Sequence, residues 1–265
     1  ITENNNINVD SRGNGLLEEI LSRDNLNKAF KQVKRNKGAH GVDGMEVEHL
    51  LQYLKDNGEE LVKKVLDGKY RPSPVRRVEI PKDNGKMRML GIPTAVDRVL
   101  QQAIAQKLSP IFEPQFCETS YGFRSRRSAH DALRKCKEYA NQGYTYVVDM
   151  DLEKFFDTVN QSKMIEILSR TIKDGRVVSL IHKYLTAGAV SGGRFEETEL
   201  GLVQGGNISP LCSNIMLNEL DHELERRGIR FVRYADDMLL FAKTKRSAQR
   251  ILEHIVPFIE DKLLL

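Results

Sequence analysis

One stretch decides how this chain folds and where its chemistry lies: Phe231-Val232-Arg233-Tyr234-Ala235-Asp236-Asp237-Met238-Leu239-Leu240-Phe241. Two short arms, rich in the β-branched and large apolar residues that favour strands, flank a pair of aspartates. The arms predict a β-hairpin, and the Tyr-Ala-Asp-Asp centre predicts its turn. Adjacent strand residues point to opposite faces, although a turn can bring both carboxylates to its tip. A cation that prefers oxygen ligands, such as Mg²⁺, would offset their repulsion. Taken alone, however, such a pair is more often a solvated turn than a metal site.

The composition is that of a globular protein with a hydrophobic core. The 265 residues are 40% hydrophobic and 29% charged, with a formal net charge of +4, which predicts one or two domains. Three widely spaced cysteines without a Cys-x-x-Cys pair predict neither a disulfide framework nor a zinc site. The sequence shows no apolar run of membrane-span length and no apolar signal-peptide core. We therefore expect a cytoplasmic protein without a membrane partner.

Hydrophobic periodicity predicts an α+β fold with an antiparallel sheet and helices on one face. A β-type run ends at Asp151, and the hairpin of the two aspartates follows about eighty residues later. We expect the end of that run to lie beside the tip of the hairpin. Asp151, Asp236 and Asp237 would then meet at one edge of the sheet. Three carboxylates can hold two Mg²⁺ ions, which lie about 3.5–4 Å apart in sites that catalyse in-line displacement.

Two further segments complete a candidate site for phosphoryl transfer. A basic hairpin around Asp83-Asn84-Gly85 offers Lys82 and Arg88 to a triphosphate. The turn at Gln204-Gly205 allows the backbone to approach a ligand closely and supplies an amide side chain. Together with the carboxylates, these are the parts that phosphoryl transfer to a 3′-hydroxyl requires.

Several motifs stand in the order and spacing of one enzyme family. Tyr234-Ala235-Asp236-Asp237 resembles the Tyr-x-Asp-Asp box of reverse transcriptases, and Asp151 with Phe156-Asp157 resembles their first acidic motif. Gln204-Gly205 followed by Ser209-Pro210 resembles the motif between them. Other segments are similar to the fingers of group II intron reverse transcriptases, also called maturases: residues 37–44, residues 71–98 and Tyr121-Gly122-Phe123-Arg124. The resemblance covers residues 16–265.

This resemblance implies a right-hand polymerase with fingers and palm. Residues 1–14 are expected to be a disordered or tag-like start, residues 15–143 an N-terminal extension with fingers and part of the palm, and residues 144–265 the palm with its catalytic hairpin. The sequence ends in a helix that follows this hairpin, so the thumb is expected to be absent.

The resemblance also implies an activity and its partners. The activity would be RNA-directed DNA synthesis, in which two Mg²⁺ ions, with Mn²⁺ as an alternative, assist transfer of a nucleotide from a dNTP to a primer 3′-hydroxyl. The partners would be an RNA template, a DNA primer, dNTPs and a group II intron RNA whose splicing and mobility the protein assists. A homodimer is left open.

The resemblance assigns roles to individual residues. Asp151, Asp236 and Asp237 would be the catalytic metal ligands, joined by the backbone carbonyl of Leu152. Asp149 shares a strand face with Asp151, but the five-residue spacing to Phe156 favours Asp151 and leaves Asp149 a supporting acid.

Nucleotide and RNA contacts are assigned in the same way. The ring of Phe156 would crowd a ribose 2′-hydroxyl and thereby select deoxynucleotides. The nucleotide-binding set would be Lys82, Arg88, Phe156, Gln204, Gly205 and Ala235. The template and intron RNA would be contacted by Arg124, Lys31, Lys34 and Arg35.

Three alternatives remain open at this point. The first is an RNA-binding splicing cofactor without catalysis. The second is a reverse transcriptase of the retron, diversity-generating or CRISPR-associated type. The third is an RNA-directed RNA polymerase, against which the Gln204-Gly205 motif and the bulky Phe156 argue.

Overall fold

The computed structural model of this protein describes residues 15–81, 85 and 87–265. The expectations for residues 1–14, for the Asp83-Asn84 turn and for Lys82 therefore lie outside the described residues. Within the described part, helices and strands follow in this order: α1 Leu16–Ile20, α2 Arg23–Asn36, α3 Leu50–Leu66, β1 Val75–Pro81, β2 Met87–Ile92, α4 Ala95–Phe112, α5 Ala129–Asn141, β3 Tyr146–Met150, α6 Phe155–Thr158, α7 Gln161–Thr171, α8 Gly175–Leu185, β4 Ala189–Ser191, β5 Arg194–Glu196, α9 Ser209–Arg226, β6 Arg230–Tyr234, β7 Asp237–Ala242 and α10 Lys245–Phe258.

The palm sheet consists of β3, β7 and β6, which lie side by side in that order and are antiparallel throughout. Met150 pairs with Met238 at the end of β3, and Tyr234 pairs with Asp237 at the hairpin turn. Asp151 therefore follows β3 at the edge of the sheet where the hairpin has its tip. This arrangement confirms the expectation drawn from the order of the elements.

Both faces of this sheet carry helices, so the expectation of helices on one face only was wrong. On one face, Val148 and Leu240 pack with Leu220 of α9 and Ile255 of α10. On the other face, α5 packs on one end of the hairpin through a small cluster: Tyr121, Ala132, Tyr139, Val232 and Phe241. The reason is that β6 and β7 carry apolar side chains at successive positions, and these must be buried on both sides.

A second sheet contains the basic hairpin. Its strand order is β2-β1-β4-β5, with β1 and β4 parallel and the other pairs antiparallel. The Gly91 amide of β2 donates to the Gln204 carbonyl at 2.8 Å. This bond holds the Gln204-Gly205 turn against the basic hairpin.

The largest hydrophobic core surrounds α4, whose residues Ile104 and Leu108 are fully buried. Thr94 is the N-cap of this helix, and its hydroxyl oxygen accepts a hydrogen bond from the Asp97 amide. Helix α2 packs against α4 through Ala29 and Val33, which leaves the opposite side of α2 exposed. Among the described residues, no helix combines the length and the apolar character needed to cross a membrane.

Candidate active site

The hairpin turn presents the two aspartates differently. Ala235 is buried and has a φ of 59°, while Asp236 beside it is half-buried and Asp237 begins β7 as an exposed residue. A positive φ costs an alanine about 1 kcal/mol or more, so the surrounding contacts must hold it in place. The Arg233 guanidinium supplies one such contact, because its Nη1 donates to the Ala235 carbonyl at 2.8 Å.

Asp237 points to the sheet face that α5 partly covers. Asp149 lies on the same face, and both border a hollow of about 220 Å³ beside α5. Burial raises the pKa of Asp237, and the negative charges of Asp236, Asp151 and Asp149 raise it further. The carboxylates of Asp236, Asp151 and Asp149 therefore lie close enough for their charges to act on Asp237.

Asp236 borders a different and larger cavity of about 700 Å³. Arg88 from β2, Phe156 from α6 and the Gln204-Gly205 turn border it too. Residues from four distant segments of the chain thus meet at one cavity: three segments that the sequence assigned to nucleotide binding, and Asp236, which it assigned as a metal ligand. Ala235, also assigned to this site, is buried in the turn.

Phe156 and Gly205 are held in place by backbone contacts. The carbonyl of Phe156 accepts the Leu202 amide at 2.6 Å, and its ring meets that of the buried Phe155 edge-on, with 5.4 Å between the centroids. Gly205 has a φ of +110°, and a Cβ there would lie 2.8 Å from the Gly91 carbonyl oxygen. Only glycine meets both conditions without strain, so this wall of the cavity consists of bare backbone.

Other residues of the cavity were missed from the sequence. Arg98 and Gln102 of α4, Lys37 after α2, and Phe123 border the same space. The Arg98 guanidinium donates to the carbonyls of Lys37 and Ala39 at 3.3 and 3.2 Å. A signal for these residues did exist, because the basic end of α2 and the start of α4 are visible in the sequence, but nothing in it places them at the same cavity as Asp236.

The carboxylates are suited to divalent cations by their chemistry. Within the described ranges, no three His, Cys, Asp or Glu side chains come close enough together to form a ready ligand set. The pKa of Asp237 is nevertheless raised, first by burial and then by the neighbouring negative charges, and a cation bound by carboxylate oxygens would neutralise those charges. The carbonyl of Leu152 accepts the Phe155 amide at 3.1 Å and keeps a second lone pair, so its role stays a prediction.

The structure corrects the placement of Arg124. Its side chain is only 2% exposed and forms an ion pair with Glu113, with 2.8 Å between Nη2 and Oε1. Its Nη1 donates to the carbonyls of Cys117 and Ser120. Through these contacts the Arg124 guanidinium stabilises its own loop, so the Arg124 side chain does not face a template as predicted. Lys31, Lys34 and Arg35 do lie exposed on α2.

The loop Tyr121–Arg124 packs directly against the hairpin turn. Gly122 lies so close that a Cβ at this position would be 2.1 Å from the Ala235 nitrogen. The next residue, Phe123, has a φ of 59° and is 53% exposed at the cavity that Asp236 borders. The loop and the turn therefore form one unit beside the cavity.

Comparisons of sequence and structure relate this chain to known proteins. Residues 80–264 match the family model described as "Reverse transcriptase (RNA-dependent DNA polymerase)". Protein YkfC of Escherichia coli K12 is 36% identical over 94% of this chain and 76% of its own length. The group II intron-encoded protein LtrA of Lactococcus lactis is 35% identical over 95% of this chain. The putative COX1/OXI3 intron 2 protein of Saccharomyces cerevisiae is 31% identical over 86% of it.

The chain spans 43% of the length of LtrA and 26% of that of the yeast protein. Among solved structures, a chain of the partial Cas6-RT-Cas1–Cas2 complex aligns with 92% of this chain at a TM-score of 0.57 and 23% identity, covering 42% of its own length. Telomerase from Candida tropicalis aligns with 72% of this chain at a TM-score of 0.54 and 14% identity, covering 48% of its own length. At these identities the solved structures show the shared fold of fingers and palm.

Proposed function

This chain belongs to the reverse transcriptase (RNA-dependent DNA polymerase) family, being related to group II intron maturases, and we propose that it joins deoxynucleotides to the 3′-hydroxyl of a primer paired with an RNA template. One observation carries this proposal: Asp236, Arg88, Phe156 and Gln204 border a single cavity of about 700 Å³. This volume lies within the usual range for small-ligand sites and leaves room for a nucleotide beside a carboxylate and a cation.

Three residues of the cavity have different roles in nucleotide binding. Arg88, exposed on β2, carries the positive charge that a triphosphate requires and can bind two of its oxygens at once. The ring of Phe156 leaves less space for a 2′-hydroxyl, so a deoxyribose fits better than a ribose. The bare backbone at Gly205 lets the nucleotide lie against it.

In this proposal Asp151, Asp236 and Asp237 supply the carboxylates of the reaction, although only Asp236 borders the nucleotide cavity itself and Asp237 borders the hollow beside α5. Divalent metal ions are used throughout the reverse transcriptase family, and two Mg²⁺ ions, or Mn²⁺ in their place, would here supply positive charge to the reacting phosphate and the attacking 3′-oxygen. The protein's own contribution is to hold Asp236 and Asp237 at the tip of the β6–β7 hairpin and Asp151 at the adjoining end of β3, because displacement requires the reacting groups in line.

Asp236→Ala in the full-length protein is the direct test. We expect primer extension on an RNA template to fall at least about a hundredfold, because a charge-stabilising group at the reacting phosphate is lost. Asp56→Ala is the matched control, since Asp56 is an exposed acid on α3. Primer extension by Asp236→Ala at the rate of the control would contradict the assignment.

We further propose that the protein binds a group II intron RNA and assists its splicing and mobility. The exposed basic side chains of α2, Lys31, Lys34 and Arg35, support this, since phosphate contacts dominate affinity for RNA. The similarity to proteins named for introns gives the kind of RNA. Sequencing the RNA that copurifies with the protein tests the proposal, and an excess of unrelated RNA would contradict it.

The second candidate function is an RNA-binding splicing cofactor without catalysis. A splicing assay with Asp236→Ala separates the two, because loss of one carboxylate should leave RNA binding intact. The cytoplasmic location and the homodimer stay predictions, and sedimentation of the full-length protein checks the latter.

A further inference from the structure

Arg233 is a fully buried arginine inside the catalytic hairpin. It lies on β6 next to Tyr234, and its side chain and that of Asp221 are both 0% exposed. Its Nε donates to Asp221 Oδ1 at 2.8 Å and its Nη2 to Asp221 Oδ2 at 2.6 Å. A buried ion pair of this kind stabilises a protein little, because the free energy lost by removing both charges from water offsets much of the free energy gained from their attraction. Its presence therefore calls for another explanation.

The remaining nitrogen of the guanidinium, Nη1, reaches the turn. Nη1 donates to the Ala235 carbonyl at 2.8 Å and to Asn214 Oδ1 at 2.9 Å. This carbonyl belongs to the peptide group that joins Ala235 to Asp236. Because a peptide group is planar, holding its oxygen also fixes the direction in which the chain enters Asp236. An apolar side chain at position 233 could fill the space but could not hold the carbonyl.

Helix α9 is the fixed support of this arrangement. Asn214 and Asp221 are seven residues apart, which places them two turns apart on one face of the helix. Asn214 Nδ2 donates onward to the Gly122 carbonyl at 2.9 Å. Asn214 and Asp221 thus hold the turn through Arg233, and Asn214 also holds the neighbouring loop through Gly122.

The backbone of Arg233 is tied to the same loop. Its amide donates to the Thr119 carbonyl, and its carbonyl accepts the Tyr121 amide, both at 2.9 Å. Residues 119–122 and the turn are therefore joined from both sides. Phe123, which follows, borders the cavity of Asp236, so one network controls two walls of that cavity.

We propose that Arg233, held by Asp221 and Asn214, is the positioning residue for the carboxylate of Asp236. The inference rests on the proposed function, in which Asp236 is a metal ligand. Arg233 touches no substrate. It acts by keeping Ala235 at its positive φ and the following peptide in one orientation. Lysine cannot replace it, because an ammonium group is a single point and cannot span Asp221, Asn214 and the carbonyl at once.

The test uses the full-length protein with both charges removed together, Arg233→Met with Asp221→Leu, so that no buried charge is left unpaired. We expect a folded protein whose kcat for primer extension falls at least about tenfold, since displacement by a fraction of an ångström disturbs a reacting geometry. The KM for dNTP should change less than about threefold, because Arg88, Phe156 and Gln204 are untouched. A residue with a merely structural role would not lower kcat while leaving the KM for dNTP nearly unchanged.

A second readout does not depend on activity. Mn²⁺ binding, followed by electron paramagnetic resonance, should weaken in the double variant. Asn218→Ala is the matched control, because Asn218 lies buried on the same face of α9 but donates to the Gln115 carbonyl and makes no bond to the turn. It should bind Mn²⁺ and extend primers like the wild type.

Each outcome decides the inference. A folded double variant with wild-type kcat and Mn²⁺ affinity overturns it. Should the double variant fail to fold, Asn214→Ala replaces it, since this change keeps the ion pair and removes only the links to Nη1 and Gly122. Asn214→Ala should lower kcat in the same direction, and wild-type values would overturn the inference. An inactive wild type would instead contradict the proposed function, while loss of Mn²⁺ affinity in the variants would still support the positioning role.

Discussion

Gly122→Ala should disable catalysis while leaving the fold in place. A Cβ at residue 122 would lie 2.1 Å from the Ala235 nitrogen and 2.9 Å from both the Ala235 Cα and the Tyr234 carbonyl carbon. The first distance is about 1.3 Å short of 3.4 Å, where ordinary contact begins. All three neighbours are backbone atoms, so no side chain can rotate away and the turn or the loop must move.

The size of the effect follows from that displacement. Overpacking of this kind costs about 1–3 kcal/mol of stability, which a domain of ordinary stability tolerates. Displacing Asp236 by about 1 Å costs roughly a hundredfold in rate, or about 2.7 kcal/mol of transition-state stabilisation. We therefore expect a folded protein with a small loss of melting temperature and a large loss of kcat.

Single-turnover primer extension with the full-length protein measures the rate, and circular dichroism measures the melting temperature. Gly58→Ala in α3 is the matched control, because a Cβ there meets no atom within 4 Å and alanine favours helices. It should keep the wild-type rate and melt at the same or a slightly higher temperature. A folded Gly122→Ala protein with the rate of this control would refute the reasoning that the loop determines the position of the turn.

Three further predictions concern other parts of the chain. Phe156→Val should improve the use of rNTPs relative to dNTPs at least about tenfold, because it opens space for a 2′-hydroxyl, and unchanged ratios of kcat/KM would remove Phe156 from this role. Arg88→Ala should raise the KM for dNTP about tenfold through the loss of a charged hydrogen bond, whereas an unchanged KM would exclude a phosphate contact. Hydrogen bonds from Arg226, and then Arg227, lower the pKa of Glu223 to about 2 from an ordinary 4.5. The resulting stability is present above pH 4.5 and is lost as the pH falls through about 2. Glu223→Gln should therefore lower the free energy of unfolding by about 1 kcal/mol at pH 7 and by almost nothing near pH 2. The effect at pH 7 is this small because solvent around the exposed Arg226 screens its interaction with Glu223. Urea denaturation at several pH values checks this, and a pH-independent difference would contradict it.

Local patterns were enough to predict the secondary structure around the site. The apolar arms of the hairpin, the strand before Asp151 and the glycine turn at Gly205 follow from the strand preference of β-branched and large apolar residues and from the backbone freedom of glycine, which act over a few residues. Motif order then predicted that Arg88, Phe156, Gln204 and Asp236 belong to one site, and the structure places all four around one cavity.

Arginine burial could not be predicted in the same way. Arg124 stands beside Phe123 and was expected to contact the template, whereas Arg233 lies in an apolar arm of the hairpin and was assigned no role. The structure buries both, because Glu113 lies beside Arg124 and Asp221 lies beside Arg233. Whether a guanidinium faces solvent depends on which acid the fold brings to it.

The chain's own sequence thus determined its family, its hairpin and the chemical types of its site residues, since each rests on local spacing. Only the tertiary structure decided that Asp236 and Asp237 face different cavities, that α5 covers the second face of the sheet and that α9 supports the turn through Arg233. The physical reason is that these features depend on contacts between segments distant in the chain, and such contacts are selected by the packing of the whole core rather than by any single stretch.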